Sequence, residues 1–130
     1  TIAVVIGEGG SGGALALAVA DRLLALQHTY FTVVSPEGAA SILWRDAKFA
    51  PLAAEQLKLT AKNLPEFLSY TRLLKEPHGG VHRFPHEMYP FLKTALIEEL
   101  DRLKQIPLAE LLENRYQQFR HIGKFLDSSS

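Results

Sequence analysis

Residues 7–13 read GEGGSGG, with glycine at 7, 9, 10, 12 and 13. No other stretch of the chain restricts its fold as much. Glycine this dense serves where the backbone must approach another group closely or take a conformation closed to residues with a Cβ. The flanks fix its place. Residues 2–6 (IAVVI) are apolar and rich in β-branched side chains, which predicts a strand buried on both faces, as in a parallel sheet. Residues 14–20 are wholly apolar and predict a helix buried on every side. A strand, a glycine loop and a helix N-terminus bring free N–H groups to one spot, and such a spot attracts negative charge.

The rest of the chain predicts an α/β protein. Residues 23–26 and 30–34 read as two further short strands. Ser35-Pro36-Glu37 is a helix start, with serine as N-cap, proline at the first helical position and an acid in the first turn; the helix should reach about Trp44. Asp46 predicts a cap for another helix, interrupted at Pro51 and resuming over residues 53–57. Thr60 predicts the cap of a short helix limited by Pro65, residues 70–74 a strand, and residues 76–80 (EPHGG) a turn. Pro85 opens a long helix in which Met88, Phe91, Leu92, Ala95, Leu96, Leu100 and Leu103 recur at three- and four-residue spacing. Pro107 opens a last helix through Leu108, Leu111, Leu112, Tyr116 and Phe119, stopped by Gly123. Residues 127–130 predict a frayed end. The first third thus has β-loop-α-β-β character and the last third is a helical hairpin. Tyr30, Phe31, Trp44 and Phe49 are expected in the core.

Composition narrows the function. The 14 basic and 14 acidic residues cancel, with five of each up to Pro65 and nine of each after it. That balance argues against a nucleic-acid partner. The chain has no cysteine, hence no disulfide and no thiolate metal site, which suits a reducing compartment such as the cytoplasm. The longest purely apolar run, residues 14–20, is too short to span a bilayer, so no membrane is expected. A chain of 130 residues whose first residue already lies in a strand reads as a piece of a larger domain, because the strands at 2–6 and 30–34 need neighbours.

Four readings of the glycine segment stand side by side. Gly7, Gly9 and Gly12 satisfy the dinucleotide fingerprint G-x-G-x-x-G, but the next strand ends at Leu26-Gln27-His28 without the acid that would hold a ribose. Residues 9–13 satisfy the nucleophile elbow G-x-S-x-G around Ser11, with Asp46 and His82 downstream to complete a triad. An oxyanion hole without a nucleophile needs only backbone N–H groups at the helix start. The fourth reading is packing alone, with glycines that let a helix lie tightly on a strand.

Residues 5–21 (VIGEGGSGGALALAVAD), 35–44 (SPEGAASILW), 76–83 (EPHGGVHR) and 111–123 (LLENRYQQFRHIG), in this order and spacing, resemble the alpha subunit of the bacterial-type acetyl-CoA carboxylase carboxyltransferase. The likeness runs over nearly the whole chain and covers roughly the last two-fifths of that family's length. It implies a crotonase (ClpP-like) fold of ββα units, with residues 1–84 as the C-terminal portion of that domain, 85–124 as the helical hairpin and 125–130 as a tail. It implies transfer of a carboxyl group from carboxybiotin, borne by a separate biotin carboxyl carrier protein, to acetyl-CoA, giving malonyl-CoA. It implies a heterotetramer of two alpha and two beta subunits working with biotin carboxylase, and a zinc ribbon on the beta chain, so that no metal is expected here. By position in the family's motif, the N–H groups of Gly12 and Gly13 form the oxyanion hole for the biotin ureido oxygen, while Gly9, Gly10 and Ser11 shape the carboxybiotin loop. His82 and Arg83 are candidate substrate-binding residues. The isolated 130 residues are expected to be inactive.

The sequence departs from the family pattern in places. Ala39 stands where cysteine is usual, Ala18 and Ala20 where glycine is frequent, and residues 67–75 (FLSYTRLLK) lack a glycine near Leu68 and an acid near Thr71. Two rival readings attach to the same residues. Another crotonase-class acyl-CoA enzyme would enlist a carboxylate, Glu8 or Glu37; a non-catalytic piece would only assemble with partners. His78, His82 and His86 recur every four residues, but Gly79-Gly80 and Pro85 break any shared helix face, so turn and interface roles are expected rather than a metal. Arg115, Arg120, His121 and Lys124 are expected on a solvated face or at a subunit contact.

Overall fold

The computed structural model describes residues 1–123; Lys124 and the tail at 125–130 lie outside the described residues. Among the described residues, five short strands and six helices follow in the order β1 (Ile2–Val5), β2 (Glu8–Gly10), α1 (Ser11–Ala18), β3 (Arg22–Leu26), β4 (Tyr30–Thr32), α2 (Pro36–Trp44), α3 (Ala50–Leu57), α4 (Leu64–Phe67), β5 (Thr71–Leu74), α5 (Pro85–Lys104) and α6 (Leu108–Arg120). Two single turns of 3₁₀ helix, Ala47–Phe49 and Ala61–Asn63, lead into α3 and α4. The protein is α/β, as expected.

Both sheets are parallel. The larger has the order β1-β3-β5, with Val4 opposite Leu24 and Leu24 opposite Arg72. The smaller pairs β2 with β4 and sets Gly9 beside Phe31. The central position of β3 explains its sequence. Leu24 and Leu26 pack with Leu74, Met88 and Ala95 beneath α5. Leu23 packs with Val5 and Tyr70, and Ala25 with Ala61 and Leu64. Every residue of 23–26 is therefore sealed from water, and each leucine contributes about 1.5–3 kcal/mol by burial. The strand buried on both faces is β3, not residues 2–6. β1 lies at the sheet edge, so Ile2, Ala3 and Val4 are only half-buried and Ile6 is exposed.

Four further expectations change. The glycine segment is not one loop: residues 8–10 form β2, and Ser11, Gly12 and Gly13 make the first turn of α1. That helix is not buried on every side. Ala14 is sealed, but Leu15 is 62% exposed and Val19, at its C-cap, 50%. Pro51 interrupts nothing; it stands in the first two positions of α3, where a missing N–H has no cost, and Pro65 stands in the first turn of α4, where a proline is allowed. The predicted strand at 30–34 shortens to β4 and joins the smaller sheet.

The Ser35 start is as predicted: its hydroxyl accepts from the Gly38 N–H at 3.1 Å, with Pro36 and Glu37 following. Asp46 caps the 3₁₀ turn by accepting from Lys48 N–H at 3.0 Å. α2 and α3 meet across Ala39, Ala40 and Ala53, flanked by Trp44 and Phe49, whose rings lie 5.9 Å apart. Ala39 is buried in that seam, so a small side chain is what it accepts. α6 returns to the start of β3: Gln118 Nε2 donates to the Ala20 carbonyl at 3.3 Å, and Arg115 Nε lies 3.4 Å from Asp21. Arg115 is thus turned inward, while Arg120 and His121 are exposed.

The divergent stretch is well anchored. Leu68 takes φ −120°, which needs no glycine. The Tyr70 hydroxyl donates to the Ala18 carbonyl at 2.6 Å, and its ring meets Phe119 edge-on at 6.3 Å. Burial pushes the Tyr70 phenol pKa up. Arg72 donates to Glu98 at 2.7 Å and to the buried Glu99 at 3.1 Å, and these carboxylates hold its guanidinium pKa above the usual value. Thr71 offers no acid, and its hydroxyl is buried without a partner.

Candidate functional site

The glycines of residues 7–13 divide by what surrounds them. A Cβ on Gly9 would stand 2.7 Å from Phe31 Cδ2 and 3.4 Å from Val5 Cγ1. That position is glycine because β2 and β4 pack there. A Cβ on Gly10, Gly12 or Gly13 would meet nothing within 4 Å, and all three are exposed. Packing alone accounts for Gly9 and for none of these three.

The junction itself is sharp. Gly10, the N-cap, is extended at φ −124° and ψ 149°, and no side chain caps the helix. Ser11 follows at φ +51°, a left-handed backbone that costs a residue with a Cβ and recurs at functional turns. Two glycines follow Ser11 in the first turn of the helix, so its first-turn N–H groups have no partner inside the helix and no glycine side chains over them. Such a turn can receive a negatively charged oxygen at close range, helped by the positive end of the helix dipole. β2, paired with β4, holds the turn from behind.

The catalytic-triad reading lacks its parts: the Asp46 carboxylate is engaged by Lys48 at 2.7 Å, and no hydrogen bond joins Ser11 to a histidine among the described residues. Glu8 and Glu37, the carboxylates that another crotonase-class acyl-CoA enzyme would enlist, are both exposed.

His82 and Arg83 lie elsewhere, in the turn between β5 and α5. Gly79 and Gly80 both take φ +91°, and the Gly80 N–H donates to the Pro77 carbonyl at 2.9 Å. A Cβ on Gly80 would come 2.9 Å from the His82 ring, so glycine there lets the imidazole fold back over the turn. His82 lines a cavity of about 670 Å³ with Gln27, His28, Lys75, Glu76 and His78. No residue of 7–13 lines it. Arg83 is exposed and makes no ion pair among the described residues.

The sequence reading missed what builds this turn. Glu76 is buried, its side chain 3% exposed. Its carboxylate accepts from His28 N–H at 2.9 Å and Val81 N–H at 2.8 Å, and His28 Nδ1 lies 3.2 Å away. Burial would raise its pKa; the two N–H groups and the His28 ring outweigh burial and hold it below the ordinary value. The available signal was an acid placed directly before Pro77 in a turn closed by two glycines, since such turns often recruit a side chain to satisfy their N–H groups. No group of three or more His, Cys, Asp or Glu suited to a metal lies among the described residues.

Comparison with known proteins adds kinship to this geometry. A family model described as acetyl co-enzyme A carboxylase carboxyltransferase-like matches residues 1–123. Relatives named acetyl-coenzyme A carboxylase carboxyl transferase subunit alpha include one from Xanthomonas oryzae pv. oryzae, 51% identical over 95% of this chain and 39% of its own length. One from Ruthia magnifica is 50% identical, and one from Thermus thermophilus 48%, each over 97% of this chain and 40% of the relative. The chain therefore spans about two-fifths of the length of the curated relatives it matches.

Proposed function

Because the chain belongs to the acetyl co-enzyme A carboxylase carboxyltransferase-like family, we propose that it forms part of an alpha subunit that moves a carboxyl group from carboxybiotin to acetyl-CoA, making malonyl-CoA for fatty-acid synthesis. The accompanying fold is of the crotonase (ClpP-like) type. The working assembly is two alpha and two beta subunits in the cytoplasm, served by the biotin carboxyl carrier protein and biotin carboxylase. Residues 1–84 belong to the crotonase-like domain and residues 85–124 to its helical extension.

The observation that carries the site is the open first turn of α1, where Gly12 and Gly13 present backbone without obstruction. Carboxybiotin supplies a labile N-carboxyl group and a ureido oxygen on which charge grows as the N–C bond breaks. The N–H groups of Gly12 and Gly13 point their dipoles at that oxygen. Because they are fixed before the reaction, they favour the transition state over the bound substrate. Gly9 locks β2 against Phe31, Gly10 and Ser11 turn the chain into the helix, and Ser11 contributes backbone shape rather than a nucleophile. Arg83 is available for an anionic group of the substrate.

The test is a carboxyltransferase assay of the full-length parent alpha subunit with its beta partner. Gly13→Val should lower kcat by about 10²–10³-fold, as for loss of one oxyanion donor. The melting temperature should not fall, because a Cβ there meets nothing within 4 Å and the position is exposed. A variant that keeps the wild-type rate would remove Gly13 from the oxyanion hole.

A further inference from the structure

The cavity beside Glu76 is independent of the glycine junction, and the hydrogen-bonding capacity of its side chains is one-sided. Its one carboxylate is engaged within the chain, by the N–H groups of His28 and Val81 and by His28 Nδ1. The Gln27 side-chain oxygen accepts from Glu76 N–H at 3.2 Å, which leaves its NH₂ group. The Pro77 and Gly80 carbonyls are taken by Gly80 and Arg83 N–H. What the side chains of the walls still offer is the Gln27 amide, the Lys75 ammonium, and the His28, His78 and His82 rings. Lys75 has no ion pair among the described residues. The His28 ring, held at Nδ1, keeps Nε2 for a ligand.

The geometry points to an anion site here for a phosphate group, free or carried on a larger molecule. Side chains rich in donors, with their one carboxylate already engaged, favour a ligand rich in acceptors. Phosphate has a further fit, because its monoanion also bears a P–OH that donates to an unprotonated imidazole nitrogen. The site is built rather than incidental. Gly80 at φ +91° lets the His82 ring close over the turn, and buried Glu76 fixes His28.

Imidazole NMR signals of the full chain, titrated with inorganic phosphate, with ADP and with acetate, test the assignment. Saturable shifts of His28, His78 and His82 are expected with phosphate, and weaker ones with acetate. Lys75→Gln, at an exposed position, should weaken phosphate binding about tenfold, the value of one charge-assisted hydrogen bond, with the circular dichroism spectrum unchanged. Tighter binding of ADP than of inorganic phosphate identifies a carried phosphate; equal or weaker binding identifies the free anion. Absence of saturable shifts, acetate binding as tight as phosphate, or unchanged affinity in Lys75→Gln overturns the assignment. The readout is binding, so it stands or falls apart from the carboxyltransferase assay.

Discussion

Glu76 joins a charge to a turn. Its carboxylate is out of water, and three donors hold its pKa below the ordinary 4.5. The unfolded chain therefore binds this proton more tightly than the folded one. The stability it contributes is fully present above about pH 4.5 and is lost as pH falls through the folded value. Glu76→Gln should destabilise the chain by about 1–3 kcal/mol at neutral pH, because buried N–H groups lose part of their acceptor. Urea denaturation across the acid range should also give the variant a flatter pH slope, and an unaltered slope would count against this role. Single residues with local signatures were legible in the sequence: the Ser35 cap, the Asp46 cap and the helix-opening Pro85. Glu76 was not, because its partner His28 lies 48 residues away.

At the scale of elements, β2 and α1 share one glycine run but use it differently. Gly9→Ala pushes a methyl to 2.7 Å from Phe31, a ring packed against both the Val5–Leu23–Tyr70 and Ala25–Ala61–Leu64 clusters. It cannot shift cheaply, and overpacking of this kind costs about 1–3 kcal/mol. Gly13→Ala lies in a helix with open space around it and should stabilise by about 0.5–1 kcal/mol. Thermal melting of the two variants should move in opposite directions; two losses of similar size would mean that Gly13 also serves packing. Sequence pattern located these elements but not their burial. An apolar run tells that a helix is apolar, not that other residues of the same chain cover it, and α1 leaves Leu15 and Val19 exposed. Prolines at 51 and 65 were likewise ambiguous between breaking a helix and opening one.

At the scale of the molecule, the chain offers apolar side chains that its own described residues do not cover. On α6, Leu108, Leu112 and Tyr116 recur every four residues on one face and are 71%, 50% and 57% exposed. A stripe of this kind on a helix favours association. The 130-residue chain alone should sediment as more than a monomer, and Leu112→Glu should reduce that association while changing folding stability by less than about 0.5 kcal/mol. A monomer at all concentrations would dismiss the stripe as an interface. Which strands pair was hidden in the sequence: β3 joins β1 and β5, whereas β4, its next neighbour along the chain, joins β2. Pairing across such separations depends on packing that local spacing does not record.

The return of α6 to the start of β3 has a consequence for synthesis. Gln118 and Arg115 reach Ala20 and Asp21 across 98 and 94 residues. During translation the aspartate leaves the ribosome long before the arginine that will face it. Until then the Ala20 carbonyl and the Asp21 carboxylate lack these two partners. Residues 20 and 21 must wait for partners made much later, and a nascent chain stalled before α6 would expose this seam to proteases and chaperones.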